Sequence, residues 1–230
     1  MKLFGLQKMT LLDYPGRVAC TVFTGGCNFR CPFCHNAPLV TEIDASQSYD
    51  ESEILSFLKS RRGLLDGVCI TGGEPLLHPS TVGFIEKVKS LGFSVKLDTN
   101  GSFPDTLDDI ISAGLVDMVA MDIKNSAEKY GMTVGIDDFD ITPIERSISL
   151  LLEGRVDYEF RTTVVRGLHE VEDIVKIAKR ISGARAYFLQ NFVDSGNLIC
   201  TGMSAHSKET LFLMQKRAKK YVPTTSVRGI

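Results

Sequence analysis

Residues 67–91, GVCITGGEPLLHPSTVGFIEKVKSL, contain an apolar run, a glycine-rich turn and a helical pattern in succession. The run 67–71 predicts a buried strand, because short runs of β-branched and apolar residues favour strands. A helix is predicted over 80–91, since apolar side chains recur there at helical spacing on one face, namely Val82, Ile85, Val88 and Leu91. The stretch therefore predicts one βα unit of an α/β fold.

The same unit recurs along the whole chain. Strands are predicted at 18–24, 67–71, 94–97, 117–121, 157–165 and 186–190, and helices at 50–62, 80–91, 105–113, 142–153, 170–181 and 207–221. Repeated βα units imply parallel strands joined by right-handed crossovers. An eight-unit barrel typically needs about 250 residues, so six units predict a partial (βα)6 TIM-like barrel, a parallel sheet with outer helices. A doubly wound open sheet is the alternative.

The composition is that of one ordinary globular domain. The chain has 230 residues, of which 43% are hydrophobic and 23% charged, and this predicts a single domain over 1–230. The net charge of −2 argues against a nucleic-acid-binding surface, since such domains are usually clearly basic. No apolar run is long enough for a membrane span, and residues 1–8 do not resemble a signal peptide. We therefore expect a cytoplasmic protein that binds neither nucleic acid nor membrane.

Three of the six cysteines lie within one eight-residue window, 27–34. In a reducing compartment, thiolates this close together indicate metal or redox chemistry. Structural zinc sites usually have four protein ligands, and iron–sulfur clusters normally have four thiolates. With three thiolates a four-iron cluster keeps one iron open, whereas an incomplete zinc site is the other interpretation. The remaining cysteines are predicted to be buried small apolar residues, namely Cys20, Cys69 and Cys200.

Polar residues follow each predicted strand, at the end where parallel βα folds carry their chemistry. The cysteine window follows the first strand, and the turn 71–75, TGGEP, follows the second. The later strands lead into 98–101 (DTNG), 122–124 (DIK), Arg161 to Arg166, and Gln190-Asn191. All of these groups should meet at one mouth. Taken singly, a Gly-Gly turn, an Asx turn at 98–101 or an ion pair within 122–124 needs no functional explanation.

Together these residues resemble the radical S-adenosylmethionine (SAM) superfamily. The segment 27–34, CNFRCPFC, matches the superfamily motif C-x3-C-x-aromatic-C, and the segment 72–75, GGEP, matches its second motif. Both follow the strands after which the superfamily places them in a partial (βα)6 barrel. The resemblance implies two cofactors, a 4Fe–4S cluster with one open iron and SAM itself.

Within the superfamily, the chain resembles the activating enzymes of glycyl radical enzymes. The segments 34–36 (CHN), 98–101 (DTNG) and 121–124 (MDIK) resemble that branch. The segments 12–16 (LDYPG) and 23–28 (FTGGCN) resemble the activating proteins of anaerobic ribonucleotide reductase. The resemblance implies a radical SAM oxidoreductase that generates a glycyl radical on a large partner subunit, with flavodoxin or ferredoxin as electron donor.

Three other functions remain open at this point. The chain could activate a different glycyl radical enzyme, or it could be a radical SAM enzyme that acts on a small molecule. The third is a non-catalytic zinc–thiolate module, which leaves the segment 72–74 without an explanation.

The resemblance also implies a role for each cluster-side residue. Cys27, Cys31 and Cys34 would each ligate one iron. The open iron would take the amino and carboxylate groups of SAM, and Phe33 would pack against the adenine.

The SAM-side residues come from the later strands. Gly72 and Gly73 would present backbone to the methionine part of SAM, and Glu74 would hold its amino group. The resemblance implies that Arg161 contacts the SAM carboxylate. The remaining residues of the SAM and target-glycine pocket would be Asp98, Thr99, Asn100, Asp122 and Lys124.

Two positions depart from the pyruvate formate-lyase activating enzymes. The sixth strand ends in Gln190-Asn191 without the histidine of those relatives, and position 166 is Arg where they tend to have proline. Contact with the partner is therefore left open for Arg166, Gln190, Asn191 and the basic stretch 216–220. For that basic stretch a solvated helix face is predicted.

Overall fold

A mostly parallel sheet forms the framework of the fold. The structure is a computed structural model and describes residues 1–230. Its strands are β1 (Lys2–Leu3), β2 (Gly5–Thr10), β3 (Ala19–Thr24), β4 (Tyr49–Asp50), β5 (Gly67–Gly72), β6 (Ser94–Thr99), β7 (Met118–Asp122), β8 (Asp157–Val164), β9 (Tyr187–Asn191) and β10 (Ser226–Arg228). Strands β1 and β4 form a separate antiparallel pair, and the other eight form one sheet.

The order of the strands decides between the two predicted architectures. The large sheet runs β10-β9-β8-β7-β6-β5-β3-β2, and every pair is parallel except β2 with β3. The chain therefore adds each new strand on the same side, without the reversal of order that defines a doubly wound sheet. Residues of β2 and of β9 line the same cavity, so the sheet curves round it. The α/β fold of the partial-barrel kind is confirmed.

Helices connect successive strands and cover the outside of the sheet. They are α1 (Pro38–Thr41), α2 (Glu51–Ser60), α3 (Ser80–Ser90), α4 (Pro104–Ser112), α5 (Tyr130–Val134), α6 (Thr142–Leu152), α7 (Val171–Arg180) and α8 (Lys208–Ala218). Helix α2 begins with a capping box between Asp50 and Glu53, and α6 is followed by Gly154 at a φ of 72°. None of these helices has the length and apolarity that a bilayer crossing requires.

Successive side chains of a strand point to opposite faces of the sheet, so one face forms the core and the other faces the site. In β6, Val95 and Leu97 are fully buried in the hydrophobic core. Lys96 and Asp98 project to the opposite face and pair with each other inside the curved sheet. Because successive side chains of a strand point to opposite faces, this face can carry charge while the other packs against helices.

Several elements differ from the sequence-based expectations. Strands β2 and β10 were not predicted, because their exposed or half-buried edge residues lack an apolar alternation. Helix α5 lies between β7 and α6, where no helix was predicted. Strand β6 extends to Thr99 and β7 to Asp122, so Asp98, Thr99 and Asp122 are strand residues rather than loop residues.

Candidate active site

The three clustered cysteines face one cavity inside the curved sheet. This cavity has a volume of about 420 Å³, and Cys27, Cys31 and Cys34 all line it. Backbone bonds fix their loop between β3 and α1: the Arg30 N–H donates to the Val134 carbonyl at 2.8 Å, and the Cys34 N–H to the Cys31 carbonyl at 3.1 Å. The fold of the chain therefore brings the three thiols to one cavity without a bound metal.

The environment of Cys27 and Cys31 favours the protonated form of each thiol. Burial raises the pKa of Cys31 to about 12 and also raises the pKa of Cys27. Metal ligation requires the thiolate, so ligation here would displace protons. No three His, Cys, Asp or Glu side chains are arranged round a single metal ion. In an iron–sulfur cluster each thiolate would bind a different iron, and three thiols that line one cavity fit such a cluster.

Two glycines press the end of β5 against the cysteine loop. A Cβ on Gly73 would lie 1.9 Å from the Gly26 carbonyl oxygen, and one on Gly72 would lie 2.2 Å from the Thr24 carbonyl oxygen. Gly72 also has a φ of 124°, which side chains rarely allow. The two sequence motifs are therefore in backbone contact, and their glycines leave main-chain groups facing the cavity.

Glu74 lies behind the cavity wall and is the one predicted site residue that does not line it. Its carboxylate is fully buried and accepts three hydrogen bonds. The donors are the Leu76 N–H at 3.0 Å, the Thr99 hydroxyl at 2.8 Å and the Asn100 N–H at 2.6 Å. In this structure Glu74 thus ties the turn after β5 to the end of β6.

Replacing Glu74 by glutamine is expected to remove a pH dependence of the free energy of unfolding. Burial raises the pKa of Glu74 to about 7, although its three hydrogen bonds and Lys124 act the other way. Between the pKa of an unfolded glutamate, about 4.3, and pH 7 the folded chain therefore binds more protons than the unfolded chain. The free energy of unfolding should fall across this window as the pH rises, by about 3 kcal/mol for this group.

Denaturant unfolding at pH 5 and pH 8 measures this difference on the cluster-free chain. Glutamine cannot ionise, so the Glu74→Gln variant should lose less stability between the two values than the wild type. Glu86→Gln, at an exposed position of α3, should keep the wild-type pH dependence. Equal pH dependence in Glu74→Gln and the wild type would contradict the expectation.

Charges of alternating sign line the floor of the cavity. Arg161 donates from Nη1 to Asp98 at 3.1 Å and from Nε to Asp122 at 2.9 Å, and the Lys124 ammonium lies 3.1 Å from Asp122. Lys96 extends the row by pairing with Asp98. Burial opposes the ionised forms, but Arg161 and Lys124 outweigh it and hold the pKa of Asp122 at about 2. Their own pKa values are raised by the same carboxylate.

A closed ring of three side chains joins the cysteine loop to the end of β6. The Asn28 amide donates to the Ser102 hydroxyl at 3.0 Å, that hydroxyl donates to Asn100 Oδ1 at 2.5 Å, and the Asn100 amide donates to Asn28 Oδ1 at 2.9 Å. The Asn100 amide also lies 3.8 Å from the Cys27 sulfur. The ring therefore holds the cysteine loop, with the predicted ligand Cys27, against the end of β6.

The structure brings most of the predicted site together and adds residues that the motifs did not indicate. Apart from Glu74, every predicted site residue lines the cavity, and Gln190 lines it as well, whereas Arg166 and Asn191 do not. Additional lining residues include Gln7, Asp13, Thr21 and Thr163. Gln7 belongs to the unpredicted strand β2, and Asp13 to the loop after it. Only the LDYPG segment could have indicated Asp13.

The remaining cysteines split between two environments. Cys20 and Cys69 are fully buried, as expected. Cys200 is exposed, so its prediction as a buried residue was wrong. It lies in the long connection between β9 and α8, where the apolar neighbours Leu198 and Ile199 are only partly buried.

Comparison with known proteins gives four informative similarities. A sequence model described as the radical SAM superfamily matches residues 21–181. A putative glycyl-radical enzyme activating enzyme of Methanocaldococcus jannaschii is 32% identical, over 98% of this chain and 95% of the relative. A domain of a pyruvate-formate lyase-activating enzyme from Bacteroides vulgatus has a TM-score of 0.58 at 19% identity, covering 71% of this chain and 99% of that one. Streptococcus suis SuiB bound to S-adenosylmethionine has a TM-score of 0.69 at 14% identity, covering 90% of this chain and 49% of that one. The two solved structures show the shared fold.

Proposed function

Because this chain belongs to the radical SAM superfamily, we propose that it activates a glycyl radical enzyme, specifically an anaerobic ribonucleotide reductase. Proteins of this superfamily use a 4Fe–4S cluster and SAM. The match along nearly the whole Methanocaldococcus jannaschii relative, which is named for the activating role, supports that role here. The choice of ribonucleotide reductase rests on the segments 12–16 and 23–28.

In this proposal the three thiolates hold the cluster and leave one iron for SAM. The same cavity is lined by the three cysteines and by the backbone of Gly72 and Gly73. The cluster and SAM would therefore bind next to each other in this cavity. When bound, the cofactors would supply one-electron cleavage of SAM to methionine and a 5′-deoxyadenosyl radical, which removes a hydrogen atom from the target glycine. The chain itself needs no acid or base for that step, and its residues act by positioning.

The charged floor offers donors for the SAM carboxylate. An ammonium group has three N–H donors, and that of Lys124 contacts only Asp122 among the hydrogen-bonded partners in this structure. Arg161 likewise has further N–H groups beyond its two carboxylate contacts. Both side chains line the cavity and can bind an anionic oxygen placed there.

The observation that carries the proposal is the packing of the Gly72-Gly73 turn onto the cysteine loop. A protein that used the three thiols only to bind zinc would not require glycine at position 73, where an added Cβ would lie 1.9 Å from the Gly26 carbonyl oxygen. Such close approach puts the backbone of Gly72 and Gly73 at the cavity wall beside the thiols. It is the arrangement that a ligand bound next to a cluster requires.

The small volume of the cavity favours a polypeptide target over a small molecule enclosed in the site. The cavity, at about 420 Å³, lies at the lower end of the range for small-molecule sites, about 300 to 1,000 Å³. A cluster and SAM would occupy much of it. The other prominent cavities lie elsewhere, one beside residues 14–17 and 154–157 and one beside residues 127–139. The target would therefore be presented from outside, as a loop of a partner protein.

Anaerobic reconstitution tests the proposal. The purified chain should bind about four irons, and with dithionite it should convert SAM to equal amounts of methionine and 5′-deoxyadenosine. Mixing the reduced protein and SAM with an anaerobic ribonucleotide reductase should then produce a glycyl radical signal by electron paramagnetic resonance (EPR). A parallel mixture with pyruvate formate-lyase serves as the matched partner control.

The possible outcomes separate the alternatives. An iron-loaded chain that does not cleave SAM would refute the enzymatic proposal, and one chelator-resistant zinc per chain would favour the zinc–thiolate module. A radical on pyruvate formate-lyase alone would keep the activating role and replace the partner. Cleavage without a radical on either protein would refute both tested partners and favour another glycyl radical enzyme or a small molecule as the substrate.

A further inference from the structure

His169 takes no part in the proposed chemistry, yet its imidazole is fully buried beside the site. It lies in the connection between β8 and α7, at the junction of three segments. Its ring packs edge-on against Phe33, with the centroids 6.0 Å apart and the planes at 75°. Phe33 stands between two of the cluster cysteines and lines the cavity.

Both ring nitrogens of His169 are paired with backbone groups. Nδ1 accepts the Val165 N–H at 3.1 Å, and Nε2 lies 2.7 Å from the Lys124 carbonyl oxygen. A carbonyl only accepts, so these partners assign the proton to Nε2 and leave the ring neutral. Burial lowers the pKa of His169, which agrees with a neutral ring.

The carbonyl held by His169 belongs to the residue whose ammonium enters the cavity. The Lys124 side chain is 20% exposed and reaches Asp122 on the cavity floor. Its backbone N–H has a second anchor, because it donates to the Tyr130 hydroxyl at 3.3 Å. His169 and Tyr130 thus fix the two peptide groups on either side of the Lys124 Cα.

We propose that His169 is a positioning residue that joins the cysteine loop to Lys124. Its ring packs against Phe33 of that loop. Its Nε2–H donates to the Lys124 carbonyl and so fixes the backbone from which the Lys124 side chain extends into the cavity. The assignment rests on the proposed function for its link to SAM, but its effect on Lys124 can be measured without cofactor. A donor at the position of Nε2 is the required chemical feature.

Two conservative substitutions separate the two ring contacts. In His169→Gln the amide nitrogen lies near the position of Nε2 and can still donate to the Lys124 carbonyl. In His169→Asn the shorter amide can still accept from the Val165 N–H but does not reach Lys124. His206→Gln is the matched control, because His206 Nε2 contacts only the His169 carbonyl, at 2.8 Å.

The first measurement uses the cluster-free chain. The acetylation rate of Lys124 by acetic anhydride is followed by peptide mass spectrometry, with the exposed Lys59 of α2 as the internal reference. Lys124 should be acetylated about tenfold faster in His169→Asn than in the wild type, since leaving the buried Lys124 carbonyl unpaired costs about the 1.4 kcal/mol of a tenfold factor. His169→Gln and His206→Gln should remain within about twofold, a range well below that factor.

The second measurement uses the reconstituted protein. The SAM dissociation constant should rise about tenfold in His169→Asn and be restored in His169→Gln, following the same donor loss. Equal acetylation rates in the two variants, or a loss of stability in both with no change at Lys124, would overturn the proposal. If the wild type binds no SAM while the acetylation pattern holds, the proposed function fails and the positioning role stands.

Discussion

Replacing Cys31 by alanine is expected to abolish cluster binding and SAM cleavage together. Cys31 is one of only three thiols in the cavity and is buried at 7% exposure, so no other side chain can take its place. Two thiolates would hold the cluster too weakly to keep it through purification. Iron and sulfide content should fall to background, and 5′-deoxyadenosine should no longer form.

Cys200→Ala is the matched control for this variant. The Cys200 N–H donates to the Pro32 carbonyl at 2.9 Å, so the residue touches the same loop through its backbone while its side chain is exposed. Removing that thiol should leave iron content and SAM cleavage at wild-type levels. Equal iron content in Cys31→Ala and Cys200→Ala would exclude Cys31 as a ligand.

Replacing Gly73 by alanine is expected to damage both stability and catalysis. The new Cβ would collide with the Gly26 carbonyl oxygen at 1.9 Å, and only a shift of backbone can relieve the clash. We expect a loss of free energy of unfolding on the order of 3 kcal/mol. SAM cleavage should fall at least about 100-fold, because a displacement of about 1 Å is enough for such a loss.

Gly83→Ala provides the control, since it makes the same chemical change in helix α3. Outside the backbone of its own helix, no atom lies within 4 Å of a Cβ built at Gly83. Alanine favours a helix interior over glycine by about 0.5 to 1 kcal/mol, so this variant should be slightly more stable than the wild type. Denaturant unfolding and 5′-deoxyadenosine formation measure both variants. Wild-type cleavage by Gly73→Ala would refute the close packing of the two motifs.

Local sequence patterns predicted the fold well, because each βα unit is encoded within a short stretch. The apolar run 67–71 and the helical pattern 80–91 needed no distant residue to be recognised, and both are present. The edge strand β2 was missed since half of its residues are exposed and its apolar and polar residues do not alternate. Strand ends were misplaced where charged residues such as Asp98 and Asp122 continue a strand into the site.

The parts of the site that belong to sequence motifs could be predicted. The thiols and glycines are recognisable because their spacing is itself the signal. The contacts of Glu74 are different, since its partners Thr99 and Asn100 lie 25 and 26 residues away. Likewise His169 contacts Lys124 across 45 residues, and no pattern within the loop 165–170 indicates that carbonyl. Long-range hydrogen bonds of this kind exist only after the strands have been assembled.

The unclosed sheet has a consequence for self-association. Its two edges, β2 and β10, leave backbone groups free to pair with another chain, which is a general route to aggregation. Strand β2 carries an exposed lysine, Lys8, and an irregular register between Gln7 and Thr10. Strand β10 has only three residues, and its Arg228 is held by a bidentate pair with Glu159. Short, charged and irregular edges disfavour strand addition. The sheet can therefore stay open beside its cavity without recruiting a second copy along either edge.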